Sequence, residues 1–170
     1  MNKKRYIFLK IFVFLLCAGI ISFAETKTLE GKSVKVVDGD SLEIDGVRIR
    51  LKGIDAPEYL QYCFDENKKK YECGKMSREY LEELTQSEDF YCKSNEKDKY
   101  KRELSVCYAE GKDINELMIK QGWAIPYRTK NPLYYEAQTV AKTNKSGMHR
   151  GKFIAPEIYR RLNKRKKVKN

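Results

Sequence analysis

The stretch from Ser33 to Ile54 constrains this chain more than any other. Ser33 to Val37, Ser41 to Ile44 and Val47 to Ile54 each alternate apolar and polar residues in the strand period, and Asp45-Gly46 between the last two is a strong two-residue hairpin signal. Such a pattern predicts strands, the last two joined as a hairpin, with Val47, Ile49 and Leu51 pointing into a core. Arg48, Arg50 and Lys52 must then face the other way, because successive strand side chains alternate. Carboxylates bracket this hairpin: Asp38-Gly39-Asp40 precedes it, and Asp55-Ala56-Pro57-Glu58 follows it. Acids beside a strand-borne arginine can bind a hard cation and a phosphate at one spot.

The rest of the chain adds further strands and then helices. Strands are expected around Asp89 to Lys93 and Leu104 to Tyr108. A helix is expected over Lys75 to Gln86, with Met76, Tyr80, Leu81 and Leu84 on one face. Asp113 opens a short helix with Glu116 as its capping-box partner, and Gly122 ends it. Another helix starts at Pro132 behind Asn131 and runs toward Gly147. Five short strands followed by packed helices make an α+β chain, mainly β, for which an OB-like barrel is the natural candidate. Periodicity alone leaves other α+β arrangements open.

Residues 1–24 read as an export signal. Lys3, Lys4 and Arg5 precede an apolar run from Ile11 to Phe23, and Ser22-Phe23-Ala24 offers a cleavage site. The run is shorter than the ~20 residues that span a bilayer. The expected organisation is a signal at 1–24, one domain at 25–159 and a basic tail at 160–170. The formal charge of +11 is concentrated at the two ends: Arg160, Arg161, Lys164, Arg165, Lys166, Lys167 and Lys169 crowd the last eleven residues without an acid. The tail is either a polyanion grip or a solvated terminus.

Cys63, Cys73, Cys92 and Cys107 remain after processing, and an even number in an exported chain suggests two disulfides. Three connectivities are open. Cys63–Cys73 with Cys92–Cys107 is preferred, because the first pair closes the charged loop after Glu58 and the second joins two alternating runs. Zinc is the competitor, disfavoured by the lack of any Cys-x-x-Cys spacing and by a single histidine, His149.

Four segments together resemble the staphylococcal nuclease (thermonuclease) family: Val37-Asp38-Gly39-Asp40-Ser41, Arg50-Leu51-Lys52-Gly53-Ile54-Asp55-Ala56-Pro57-Glu58, Asp98-Lys99-Tyr100-Lys101-Arg102 and Gln121-Gly122-Trp123-Ala124. They stand in that family's order at compatible spacings, and the cysteines resemble its exported bacterial branch. The resemblance implies a five-stranded OB-fold barrel with about three packed helices. It also implies a monomeric, exported (periplasmic or extracellular), calcium-dependent phosphodiesterase that cuts DNA and RNA with little sequence preference and leaves 3′-phosphates. By position, Asp40, Asp55 and the backbone carbonyl of Ala56 match calcium ligands, with Asp38 in support. Glu58 matches the general base, and Arg50 and Arg102 match the phosphate-holding arginines. Lys99, Tyr100 and Tyr127 are candidate substrate contacts.

The rival from another class is an OB-fold nucleic-acid-binding module without catalysis, whose signature would be missing acids or arginines. Taken singly, each site residue also has an ordinary explanation: Asp38 and Asp40 shape a turn, and Arg50 or Arg102 is a solvated strand residue. Two departures from the family pattern stand out. Lys101 replaces a common glycine, and a positive φ there would strain it. His149 replaces a common tryptophan, where it is expected to pack and not to catalyse.

Overall fold

The computed structural model describes residues 25–169, so the expected export signal lies outside the described residues. In chain order its elements are β1 (Lys27–Leu29), β2 (Val34–Asp38), β3 (Ser41–Ile44), β4 (Val47–Leu51), β5 (Ile54–Asp55), β6 (Cys63–Asp65), β7 (Lys70–Tyr71) and helix α1 (Cys73–Leu84). There follow β8 (Tyr91–Lys97), β9 (Glu103–Ala109), β10 (Lys112–Asp113), α2 (Ile114–Lys120), β11 (Ile125–Pro126), α3 (Pro132–Thr143), a 3-10 turn at Gly147–Arg150, β12 (Gly151–Lys152) and α4 (Pro156–Lys169).

The main sheet runs β1-β8-β9-β4-β3-β2, with β10 beside β9. The hairpin forms as the sequence predicts. Ile44 pairs with Val47 across Asp45-Gly46, both at positive φ (45° and 84°), as a turn matched to strand twist requires. The single parallel pairing among the described residues, β4 with β9, places β9 between β4 and β8. This α+β arrangement is consistent with an OB-fold-like barrel. Val36, Leu42, Ile49, Leu51, Leu81, Ile114, Met118 and Ile119 fill its core against α1 and α2.

Two departures from plain strand geometry aim the acids. A bulge between Val36 and Asp38 shifts the β2–β3 register just before Asp38-Gly39-Asp40. The run expected to continue from Val47 to Ile54 instead breaks at Lys52-Gly53, where Gly53 sits at φ +81°. The chain turns back as β5, which pairs with β11. Buried Asn115 fixes this turn: its Nδ2 donates to the carbonyls of Lys52 (3.0 Å) and Ser105 (3.1 Å), and its Oδ1 accepts from the Cys107 N–H (3.2 Å).

Both preferred disulfides are present. Cys92 and Cys107 face each other across β8 and β9 (Cα–Cα 3.9 Å), and Cys63–Cys73 (Cα–Cα 5.6 Å) joins β6 to the start of α1. With every described cysteine so bonded, the zinc alternative is removed. In the chain-entropy model, closing loops of this length contributes about 3 kcal/mol each. The Cys63–Cys73 bond packs with Met148, Tyr71, Trp123 and Phe153 as a second, smaller core.

The basic tail is the surprise of the fold. Pro156 opens α4, and the helix carries through residue 159 to Lys169, so the expected domain end falls inside a helix. Among the described residues there are thus four α-helices, the fourth of them standing where a solvated terminus was one reading. No helix among the described residues is long and apolar enough to cross a membrane.

Candidate active site

Arg50 is the hub. It projects from the outer face of β4, yet its side chain is only 13% exposed because the Asp38–Asp40 turn and the chain after Gly53 fold over it. Its Nη1 forms an ion pair with Asp40 Oδ1, and its Nη2 donates to Asp55 Oδ1 (3.0 Å) and to the Ile54 carbonyl (3.3 Å). Asp40 is itself fixed: its Oδ2 accepts from the Ala56 N–H at 2.7 Å and its Oδ1 from the Ser41 hydroxyl at 3.1 Å. Asp38 supports the turn by accepting from the Asp40 N–H (3.2 Å). Gly39 is obligatory here because a Cβ would collide with the Ser77 hydroxyl of α1. One guanidinium therefore gathers two buried carboxylates that lie 15 residues apart in sequence.

Glu58 stands on the loop after β5, its side chain 37% exposed. Fully buried Gln61 holds that loop: its Oε1 accepts from the Glu58 N–H (3.3 Å), its N–H donates to the Glu58 carbonyl (2.7 Å), and its Nε2 donates to the Ile154 carbonyl (2.7 Å). Helix α1 presses on the loop from the other side. A Cβ at Gly74 would clash with the Glu58 carbonyl, and the Cys63–Cys73 bond staples the helix start there.

Arg102 reaches the site from the turn before β9. Its Nε and Nη2 grip Asp98 Oδ2 at 2.8 and 2.7 Å, and its Nη1 donates to the Ser41 hydroxyl at 3.4 Å. Asp98 Oδ1 also accepts from the Tyr100 and Arg102 N–H groups (2.8 and 3.0 Å). Asp98 thus shapes the turn and orients the guanidinium together. The turn places Lys101 at φ 63°, the strained conformation that its substitution for glycine threatened. Lys101 keeps its place because its N–H donates to the Asp98 carbonyl (2.9 Å) and the Asp98 N–H closes onto the Arg102 carbonyl (2.9 Å).

The candidate substrate contacts stand at the rim. Tyr100 is exposed, with Lys99 and Arg102 over its ring (5.1 and 5.6 Å), and Arg48 Nη2 donates to its carbonyl (3.1 Å). Tyr127 is half-buried, and its hydroxyl donates to Glu157 of α4 (3.3 Å). His149 makes an edge contact with the Phe153 ring (5.3 Å), beside the smaller core and not among the acids.

One residue of the site escaped sequence reasoning altogether. Arg160 reaches back from α4: Nη1 donates to Glu58 Oε1 (2.8 Å), and Nη2 donates to both oxygens of Asp55 (2.8 and 3.1 Å). It stands in the predicted tail, 102 residues beyond Glu58 in sequence. A helical signal was available, in Pro156 followed by Glu157 and the i,i+4 pair Ile158 and Leu162, though it does not say which of several basic residues turns inward.

Burial pushes the Asp38 carboxyl above the ordinary range, against the pull of Arg50 and the Ser41 hydroxyl. Burial likewise lowers the Arg50 guanidinium from its ordinary value, with Asp55 and Asp38 opposing. For Arg160 burial acts downward too, but its hydrogen bonds to Glu58 and Asp55 more than offset it, and the group is raised. Among the described residues no three His, Cys, Asp or Glu side chains form a ready metal cluster. The donor chemistry nonetheless fits a hard cation, because Asp40 and Asp55 present carboxylate oxygens on either side of one guanidinium. The positive charge those oxygens need comes here from Arg50 and Arg160.

Residues 48–150 match the family described as Staphylococcal nuclease homologue. The chain is 42% identical over 118 residues to the succinoglycan biosynthesis protein ExoI of Rhizobium meliloti (strain 1021), an alignment covering 68% of this chain and 62% of that protein. It is 32% identical over 155 residues to a protein of Escherichia coli O157:H7 named Uncharacterized endonuclease, covering 85% of this chain and 89% of the relative. It is also 29% identical over 136 residues to a micrococcal nuclease of Shigella flexneri, covering 72% and 70%.

Proposed function

The chain belongs to the staphylococcal nuclease family and is a nuclease, a hydrolase of nucleic acid, and from that premise we propose that it is a calcium-dependent endonuclease cutting DNA and RNA with little sequence preference to 3′-phosphate products. The observation that carries this reading is the Arg50 fork joining Asp40 to Asp55, three residues before Glu58. Hydrolysis of a phosphodiester needs a water made nucleophilic, charge stabilisation on the phosphate oxygens, and in-line placement of both.

In this reading Asp40, Asp55 and the Ala56 carbonyl hold calcium, with Asp38 behind them fixing the turn. When bound, the cation polarises the phosphate and offsets the charge of the two buried acids. Arg50, aimed between the two acids, would offer its fork to the phosphate. Arg102, pre-oriented by Asp98, approaches from the turn before the neighbouring strand β9. Two guanidinium forks suit the planar oxygens of a phosphate in transfer, and losing one such donor commonly costs about 10²–10³ in rate. Glu58 takes the proton of the attacking water, a role worth roughly 10²–10⁴-fold. Its partial exposure suits a base that must meet solvent. Lys99 adds charge for a flanking phosphate, and Tyr100 and Tyr127 offer aromatic faces to bases; stacking reads no particular sequence. The protein acts as an exported monomer, released from residues 1–24 and stapled by two disulfides suited to an oxidising compartment.

The test is digestion of single-stranded DNA, duplex DNA and RNA with calcium or with chelator, alongside Glu58→Gln, with end-group analysis of the products. Cutting of all three that needs calcium, leaves 3′-phosphates and falls by at least two decades in the variant is expected. Full activity in chelator, or in Glu58→Gln, would overturn the assignment.

A further inference from the structure

The Arg160 contact is more than a surface ion pair. Its guanidinium takes both oxygens of Asp55, which is fully buried, and one of Glu58. With Arg50 also on Asp55 Oδ1, three of the roughly four acceptor directions of that carboxylate are occupied. A divalent cation on Asp55 needs the same oxygens and would stand within a few ångströms of a like charge.

Helix α4 is built so that this contact can be released. Two of its apolar residues, Ile158 and Leu162, are 36% and 41% exposed, so neither is anchored in the core, whereas Pro156 is buried and Tyr159 half-buried at its start. Among the described residues its other side-chain hydrogen bonds to the rest of the fold are two hydroxyl bonds of 3.3 Å, Tyr127 to Glu157 and Tyr159 to the Leu60 carbonyl. The charge-assisted bonds of Arg160, near 2.8 Å, are the strongest tie.

We propose that Arg160 is a built-in competitor of the metal: it occupies Asp55 and Glu58 in the metal-free protein, and calcium binding expels it and loosens α4. The proposal rests on the calcium reading above. It makes Arg160 a positioning residue that keeps two acids together and neutralised until the cation arrives. Apparent calcium affinity is then reduced by the fraction of molecules in which Arg160 is docked.

The test combines calcium titration by isothermal calorimetry of wild type, Arg160→Ala and Arg160→Gln with amide hydrogen exchange of residues 156–165 in the wild type. Calcium binding at least tenfold tighter in both variants is expected, as is faster exchange across 156–165 when calcium is added to wild type but not to Asp55→Asn. Equal affinities in all three proteins, or wild type that binds calcium with α4 protection unchanged, would overturn the competition while leaving the calcium site standing. No calcium binding by any of them would overturn both. The exchange experiment needs no variant at Arg160, so a folding defect there does not shield the idea.

Discussion

The two halves of the candidate active site are built in opposite ways. Asp40, Arg50 and Asp55 belong to the barrel, and their side chains are 2%, 13% and 1% exposed. Glu58, Arg102 and Arg160 come from a loop, a turn and a terminal helix and are roughly a quarter to a third exposed. The buried half gains fixed geometry, but each of its charges depends on the others, since an unpaired ion in that setting is very costly. The exposed half is tethered by local devices: Gln61 and a disulfide for Glu58, Asp98 for Arg102, a helix for Arg160. Rigidity sits where two acids are held together, and adjustability sits where the proposed reaction would pass water, phosphate and product.

The sharpest way to break this contrast is Arg50→Ala. It should lose about 3–5 kcal/mol of stability by stranding Asp40 and Asp55, together with two or more decades of activity. Denaturant titration beside a rate assay checks both losses, and an inactive but fully stable variant would contradict the interdependence. Glu58→Gln should separate the two effects, with rate falling roughly 10²–10⁴-fold and stability staying within about 0.5 kcal/mol.

Asp98→Ala should release Arg102 and open its turn, costing about tenfold in kcat. Burial tends to raise the Asp98 carboxyl, but its hydrogen bonds from Arg102 and Tyr100 prevail and hold it below the usual range. Its stabilisation is therefore complete above the unfolded value near pH 3.9 and is lost as pH falls through the depressed folded value. Acid titration of wild type against Asp98→Ala should show that difference only at the acid end.

His149 gives a smaller test, beside the core built on the Cys63–Cys73 bond. Burial, reinforced by Lys142, lowers its imidazole, and its Nε2 is buried without a partner. Below the ordinary value of 6.5 the unfolded chain takes up a proton that the folded protein resists, so stability should decline as pH drops from there toward the lowered value. His149→Phe should remove that slope, read as Tm against pH. The smallest effect is Lys101→Gly, which relieves a left-handed lysine and should add about 0.5–1 kcal/mol after glycine's entropy is counted.

In the buried half the hairpin was legible from sequence because Asp45-Gly46 is a local signal, and strand alternation says which way Arg50 points, whereas the bulge before Asp38 was not read. Lys52-Gly53 was harder. An alternating run carries no sign that Asn115, more than sixty residues on, will capture the Lys52 carbonyl and bend the chain back. Asp98 was visible as part of a motif but not as the anchor of Arg102, since turn geometry decides which backbone and side-chain donors one carboxylate can collect. Arg160 was hidden for a different reason. Seven basic residues in eleven read as a polyanion grip or a solvated terminus, and neither reading turns Arg160 inward, which follows from how α4 leaves Ile154, whose carbonyl Gln61 holds.

The most direct measurement is a crystal structure with calcium and a short oligonucleotide made resistant to cleavage. The account predicts one cation on Asp40 and Asp55, the same phosphate held by Arg50 and Arg102, Glu58 facing a water in line with that phosphate, and Arg160 withdrawn from Asp55. A cation bound elsewhere, or a phosphate that neither Arg50 nor Arg102 touches, would contradict it.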